Sequence, residues 1–185
     1  MGPVEIKWSI ILFLLPILFV TGLRPLVGGQ RDLNSLHSHL AQEVRHVLAL
    51  LPNYTLFDFL EFEISGIDTV TLLGQVTRPT LKSDAESAVR GLEGVARLVN
   101  KIEVLPVSPR DEQIRAIAYQ AIYYRPGLDR YAFRSIQPIH IIVNKGSITL
   151  AGVVATQTDK DLAETAAREV PGTLGVTNNL SVKEK

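Results

Sequence analysis

Apolar residues recur in this chain with two alternating periods. From Ser108 onward the order is easiest to read. Ser108 suits a helix cap, Pro109 the first helical position, and Asp111 and Glu112 the first turn. Ile114, Ile117, Ala118, Ala121 and Ile122 then share one helical face, and Pro126-Gly127 stops it. Ile139, Ile141 and Val143 alternate as in a half-buried strand, Asn144-Lys145-Gly146 forms a tight turn, and Ile148, Leu150 and Gly152 alternate on the return. This alternation places His140 on the polar side of its strand. Thr158 and Asp161 are spaced for a capping box ahead of a second helix, whose apolar face is Leu162, Ala163, Ala166 and Ala167. Val176, Asn178, Leu180 and Val182 form a last strand.

The same order precedes it. Leu33, Leu36, Leu40, Val44, Val47, Leu48 and Leu51 share one face of a long helix closed by Pro52. Phe57–Ile64 and Val70–Val76 predict a hairpin, Leu81–Arg90 a helix, and Leu98–Val104 a strand. Shifting the chain by 78 residues lays residues 70–104 on 148–182 without a gap, and thirteen of the 35 pairs are identical. Among them are Gly74/Gly152, Ala85/Ala163, Arg90/Arg168, Gly94/Gly172 and Asn100/Asn178. The fold class is therefore α+β: an N-terminal hydrophobic helix, then two tandem α-β-β-α-β units, each a small three-stranded mixed sheet with two helices on one face. The expected divisions are residues 1–30, a unit at 31–105, a linker at 106–110 and a unit at 111–185. The linker is short and holds two prolines in Leu105-Pro106-Val107-Ser108-Pro109, which predicts that the units pack together.

The N-terminal region changes the picture of location. Residues 8–23 run without a charge between Lys7 and Arg24, with Trp8, Leu12, Leu15, Phe19 and Leu23 along the apolar surface. Sixteen residues are short for a span of about 20 and slightly long for a signal-peptide core of about 7–15. A cleaved signal and a retained anchor both fit. Either places the rest of the chain outside the cytoplasm, if the N-terminus stays inside.

Composition narrows the chemistry. The chain has 185 residues and no cysteine, which excludes disulfides, thiolate metal sites, cysteine nucleophiles and a lipidated N-terminal cysteine. Nineteen basic and nineteen acidic residues leave a net charge of zero, a poor balance for wrapping duplex DNA. Neither a Gly-rich phosphate loop nor a G-x-S-x-G nucleophile elbow occurs. His39, Glu43 and His46 are spaced to share a helix face, but two imidazoles and one carboxylate without a fourth ligand read as a solvated flank, and no metal or other cofactor is expected. Glu61 and Glu63 share one face of a strand and read as solvated.

Residues 123–134, between the first helix and first strand of the second unit, hold Tyr123, Tyr124, Tyr131, Phe133 and three arginines against one acid. Residues 32–107 carry six bases and ten acids, net −4, whereas residues 108–185 carry ten bases and eight acids, net +2. Arginine with tyrosine suits a membrane interface and equally a protein interface. Arg125, Arg130, Tyr131 and Arg134 are the candidate lipid- or partner-binding residues.

Gly146-Ser147-Ile148-Thr149-Leu150-Ala151-Gly152-Val153-Val154 resembles the central hairpin signature of the BON domain, G-x-V-x-L-x-G-x-V. Val176-Thr177-Asn178-Asn179-Leu180 is similar to the strand that follows it, and Val70–Val76 with Val99-Asn100-Lys101-Ile102 repeats the resemblance. Two departures stand out: Gly66-Ile67-Asp68 replaces the turn glycine in the first copy, and Thr173-Leu174 replaces the usual Gly-Val in the second. The resemblance implies an exported, non-enzymatic tandem BON protein of the bacterial envelope, in the periplasm or on the periplasmic face of the inner membrane, associated with osmotic or envelope stress and with phospholipid surfaces. It transfers no catalytic residue. The alternative is a membrane-anchored accessory subunit of a larger membrane protein complex, with the BON pair as a docking module.

Overall fold

The structure is a computed structural model that describes residues 28–134 and 137–183. The apolar run containing Trp8, Leu12, Leu15, Phe19 and Leu23 lies outside the described residues. Among the described residues, no helix is long and apolar enough to cross a membrane.

Unit one runs α1 (Gly28–Ala49), β1 (Phe59–Ser65), β2 (Thr69–Val76), α2 (Pro79–Arg90), β3 (Arg97–Asn100) and β4 (Glu103–Val104). Unit two runs α3 (Pro109–Tyr123), a 3-10 turn at Asp129–Tyr131, β5 (Ile139–Asn144), β6 (Ser147–Val154), α4 (Gln157–Arg168) and β7 (Gly175–Val182). In each sheet the hairpin is antiparallel and the last strand joins β2 or β6 in parallel, as a crossover helix requires. The last strand of unit one, expected unbroken, is interrupted at Lys101-Ile102.

The helices cover one face of each sheet. Leu40, Val44 and Leu48 of α1 meet Val70, Leu72 and Val76, while Ile114, Ala118 and Ile122 of α3 meet Ile139, Ile141 and Leu150. Leu36, assigned by periodicity to the α1 core face, is 63% exposed, whereas Leu40 one turn later is buried. The capping box also differs from its expected place. Thr156 and Asp159 form it, two residues before Thr158 and Asp161, because Thr156 is the last residue with extended backbone (φ −139°).

The repeat carries its own fasteners. Asn100 donates to the Lys82 carbonyl at 3.1 Å and to Glu86 at 3.0 Å, and accepts from the Ile102 amide at 3.1 Å. Asn178 does the same to Lys160, Glu164 and Leu180. Gly74 and Gly152 have φ near +116° and +114°, and a Cβ at either would strike the carbonyl of Phe59 or Pro138.

The units pack together, as the stiff linker predicts. Phe59 and Leu73 of unit one and Ile142 and Ala151 of unit two line a shared cleft of about 320 Å³ between the sheet faces that no helix covers. Residues 54–58 cross from α1 to unit two, where Leu56 and Phe57 join its core and the Leu56 carbonyl accepts from the Ile141 amide at 2.7 Å.

Candidate functional site

The loop after α3 holds all four candidate surface residues, and the structure separates them by role. Tyr131 is core, only 1% exposed. Its hydroxyl donates to Asp159 at 2.8 Å and accepts from the Ala155 amide at 2.8 Å, while the Arg130 and Arg134 guanidiniums lie 4.9 and 5.3 Å from its ring centre. The expectation that Tyr131 meets a ligand is thus corrected: two buried partners satisfy its hydroxyl and hold the ring inward. Arg130 pairs with Asp159 at 2.5 Å and also donates to the Gly127 carbonyl. Arg125 pairs with Glu169. Among the four, Arg134 has no carboxylate partner among the described residues, and its side chain is exposed. Two aromatics on the same loop face solvent instead: Phe133 is 89% and Tyr124 71% exposed.

Three buried aspartates, none of them distinguished by periodicity, fix the loops. Asp58 accepts from the amide and hydroxyl of Thr55 and of Thr77 at 2.7–3.0 Å. Asp111 accepts from the Lys145 and Gly146 amides, holding the β5–β6 turn. Asp159 accepts from Thr156, Tyr131 and Arg130. Burial acts to raise the Asp159 carboxyl, but the hydrogen bonds from Tyr131, Arg130 and Thr156 outweigh it and hold the group below the usual aspartate value. A carboxylate saturated by fixed donors is an anchor, not a proton shuttle. Asp111 and Asp159 occupy the third helical position after a Ser or Thr cap, a legible signal; Asp58 had none.

His140 is buried, contrary to its expected place on a solvated strand face. The open face of β5 is covered by residues 54–59. Its Nδ1 lies 2.6 Å from the Asp58 carbonyl, and its ring sits 5.6 Å from Tyr54 and 5.4 Å from Phe59. Burial pushes its pKa down from 6.5, opposed in part by the Asp58 carbonyl. Burial likewise pushes the Tyr54 hydroxyl up to about 12. His39, Glu43 and His46 are exposed on α1, and no group of three or more His, Asp or Glu among the described residues could hold a metal ion. Glu61 and Glu63 are exposed.

The BON domain family model matches residues 38–106 and again residues 110–184. The chain belongs to the BON domain family. BON is a non-catalytic domain family, here in tandem. No curated protein matches the BON pair in sequence. Among solved structures, the pair is similar to the C-terminal domain of CdsD, a structural protein of the type III secretion system of Chlamydia trachomatis. That alignment has 14% identity and a TM-score of 0.29, covering 78% of this chain and 98% of that one. A second CdsD structure gives 14% and 0.29 over 79% and 94%. Likeness at that level bears no weight on function.

Proposed function

We propose that this tandem BON protein is exported, non-enzymatic, and works at the bacterial cell envelope by binding anionic phospholipid surfaces in support of envelope integrity under osmotic stress. The charge-free N-terminal run supports export, either as a signal or as an anchor in the inner membrane. The observation that carries the lipid reading is Phe133, almost fully exposed beside the exposed Arg134, with Tyr124 exposed on the same loop. An apolar ring lies at headgroup depth, and each nearby Arg adds about 1 kcal/mol on an anionic surface.

The test is cosedimentation of residues 28–185 with liposomes. Binding to anionic but not neutral vesicles is expected, weakening with salt because exposed charges are screened beyond about 8–10 Å. Phe133→Ser with Arg134→Glu removes it while leaving the Arg130–Asp159 and Arg125–Glu169 pairs intact. Equal binding by that variant, or no binding to either vesicle, contradicts the reading.

A further inference from the structure

The two units share one architecture, yet they treat their first strands differently. β5 and β1 are both sheet edges. In unit two the outer edge of β5 is closed by other parts of the chain. The Tyr123 hydroxyl donates to the Ile139 carbonyl at 2.6 Å and accepts from the Ile139 amide at 3.2 Å. The Leu56 carbonyl takes the Ile141 amide at 2.7 Å, and the buried Arg115 donates to the Val143 carbonyl at 2.8 Å.

In unit one, the Leu60 amide points to the Tyr54 hydroxyl at 3.4 Å. By the two-residue alternation of an antiparallel ladder, the backbone groups of Phe62 and Ile64 point the same way, off the sheet. No described residue bonds them there.

The cause is in the helices. Leu40, Val44 and Leu48 correspond to Ile114, Ala118 and Ile122 as the buried triads of α1 and α3. In that register Ala49 stands where unit two has Tyr123, and Ala41 where it has Arg115. The two alanines leave room between α1 and β1. A groove of about 610 Å³ wraps round the β1 edge, lined on the α1 side by Ala49, Leu48, Arg45 and Phe62 and on the other side by Glu61 and Glu63, and a second of about 420 Å³ is lined by Ala41, His37, Phe62 and Ile64. The Nε2 atom of His37 is buried beside them with no hydrogen-bond partner among the described residues.

We infer that the groove between α1 and the free edge of β1 is a docking site for an extended segment of a partner protein that alternates apolar and basic residues. Strand addition supplies main-chain hydrogen bonds to Phe62 and Ile64, and alternate side chains enter the α1 side. The other side chains fall opposite Glu61 and Glu63, both exposed on the opposite face of β1, in a unit of net charge −4 over residues 32–107. The same carboxylates argue against a second copy of this chain. Antiparallel pairing of two β1 strands about Phe62 sets Glu61 against Glu63, and a two-residue slip either way sets Glu61 or Glu63 against itself. The inference locates the protein-docking alternative on unit one and is independent of lipid binding by unit two.

The test uses the full chain in neutral-lipid nanodiscs. The probe is a fluorescent eight-residue peptide alternating valine and lysine, with a valine–glutamate peptide as control. The lysine peptide is expected to bind at least tenfold tighter and to slow amide hydrogen exchange at Phe62 and Ile64. Glu61→Lys with Glu63→Lys inverts the preference through surface positions. Ala41→Arg, which copies unit two, abolishes binding. No binding of the lysine peptide, equal affinity for both peptides, or unchanged exchange at Phe62 and Ile64 overturns the inference. A concentration-dependent dimer that protects those amides without peptide overturns it in favour of a second copy.

Discussion

Unit two is closed where unit one is open. Both place a helix over a three-strand core and fasten the last strand with an asparagine, Asn100 or Asn178, to the preceding helix. Unit two then adds buried polar side chains. Tyr123 and Arg115 seal β5, Asp111 holds its turn, and Asp159 joins a capping box to Tyr131 and Arg130. Unit one has Ala49, Ala41, His37 and Leu81 at the corresponding places, and Arg78, the N-cap residue of α2, makes no side-chain cap. The fold survives both choices because the apolar layer carries it. The polar additions decide which edge and which loop remain available to a partner.

The comparison is broken most sharply at Tyr123. Tyr123→Ala removes a fully buried ring and both bonds to Ile139, and unit two then resembles unit one; a loss of about 3–5 kcal/mol is expected in urea denaturation. Asp159→Ala comes next. It leaves the Tyr131 hydroxyl and the Thr156 amide without their acceptor, at a cost of about 2–4 kcal/mol, visible as a lower melting temperature.

A pH series examines the joint between the units. His140 is held neutral in the fold, with its pKa below 6.5, so the unfolded chain takes up the proton first as pH falls. Stability is complete above pH 6.5 and declines below it, until pH passes the folded-state pKa, by at most about 1.4 kcal/mol per pH unit. His140→Phe removes that part of the slope, measured as the difference between the two denaturation series. The charged group that acts on the ring is the Asp58 carboxylate, which favours the protonated form and is outweighed by burial. The smallest effect is a gain: Arg78→Asp gives α2 the cap it lacks and raises stability by about 1 kcal/mol.

Much of the fold was legible because it is written locally. The 78-residue offset matched the second hairpin strands, the crossover helices and the Asn100/Asn178 pair, apolar alternation located the first hairpin strands, and Ser108-Pro109 marked the start of α3 correctly. The failures share a physical origin. Tyr131 looked like a surface aromatic in a basic loop, but its partners Ala155 and Asp159 lie more than twenty residues away. His140 obeyed strand alternation and still became buried, because the face it occupies is covered by residues from another unit. The β1 edge could not be read at all. Its openness depends on the register of α1 against α3, and the alanines at 41 and 49 look like ordinary helix formers.

Residue-resolved amide hydrogen exchange on the unliganded chain tests the central contrast most directly. The structure predicts slow exchange at Ile139 and Ile141 of β5, whose outer amides are bonded, and fast exchange at Phe62 and Ile64 of β1, whose outer amides are free. Equal protection at all four amides would contradict it.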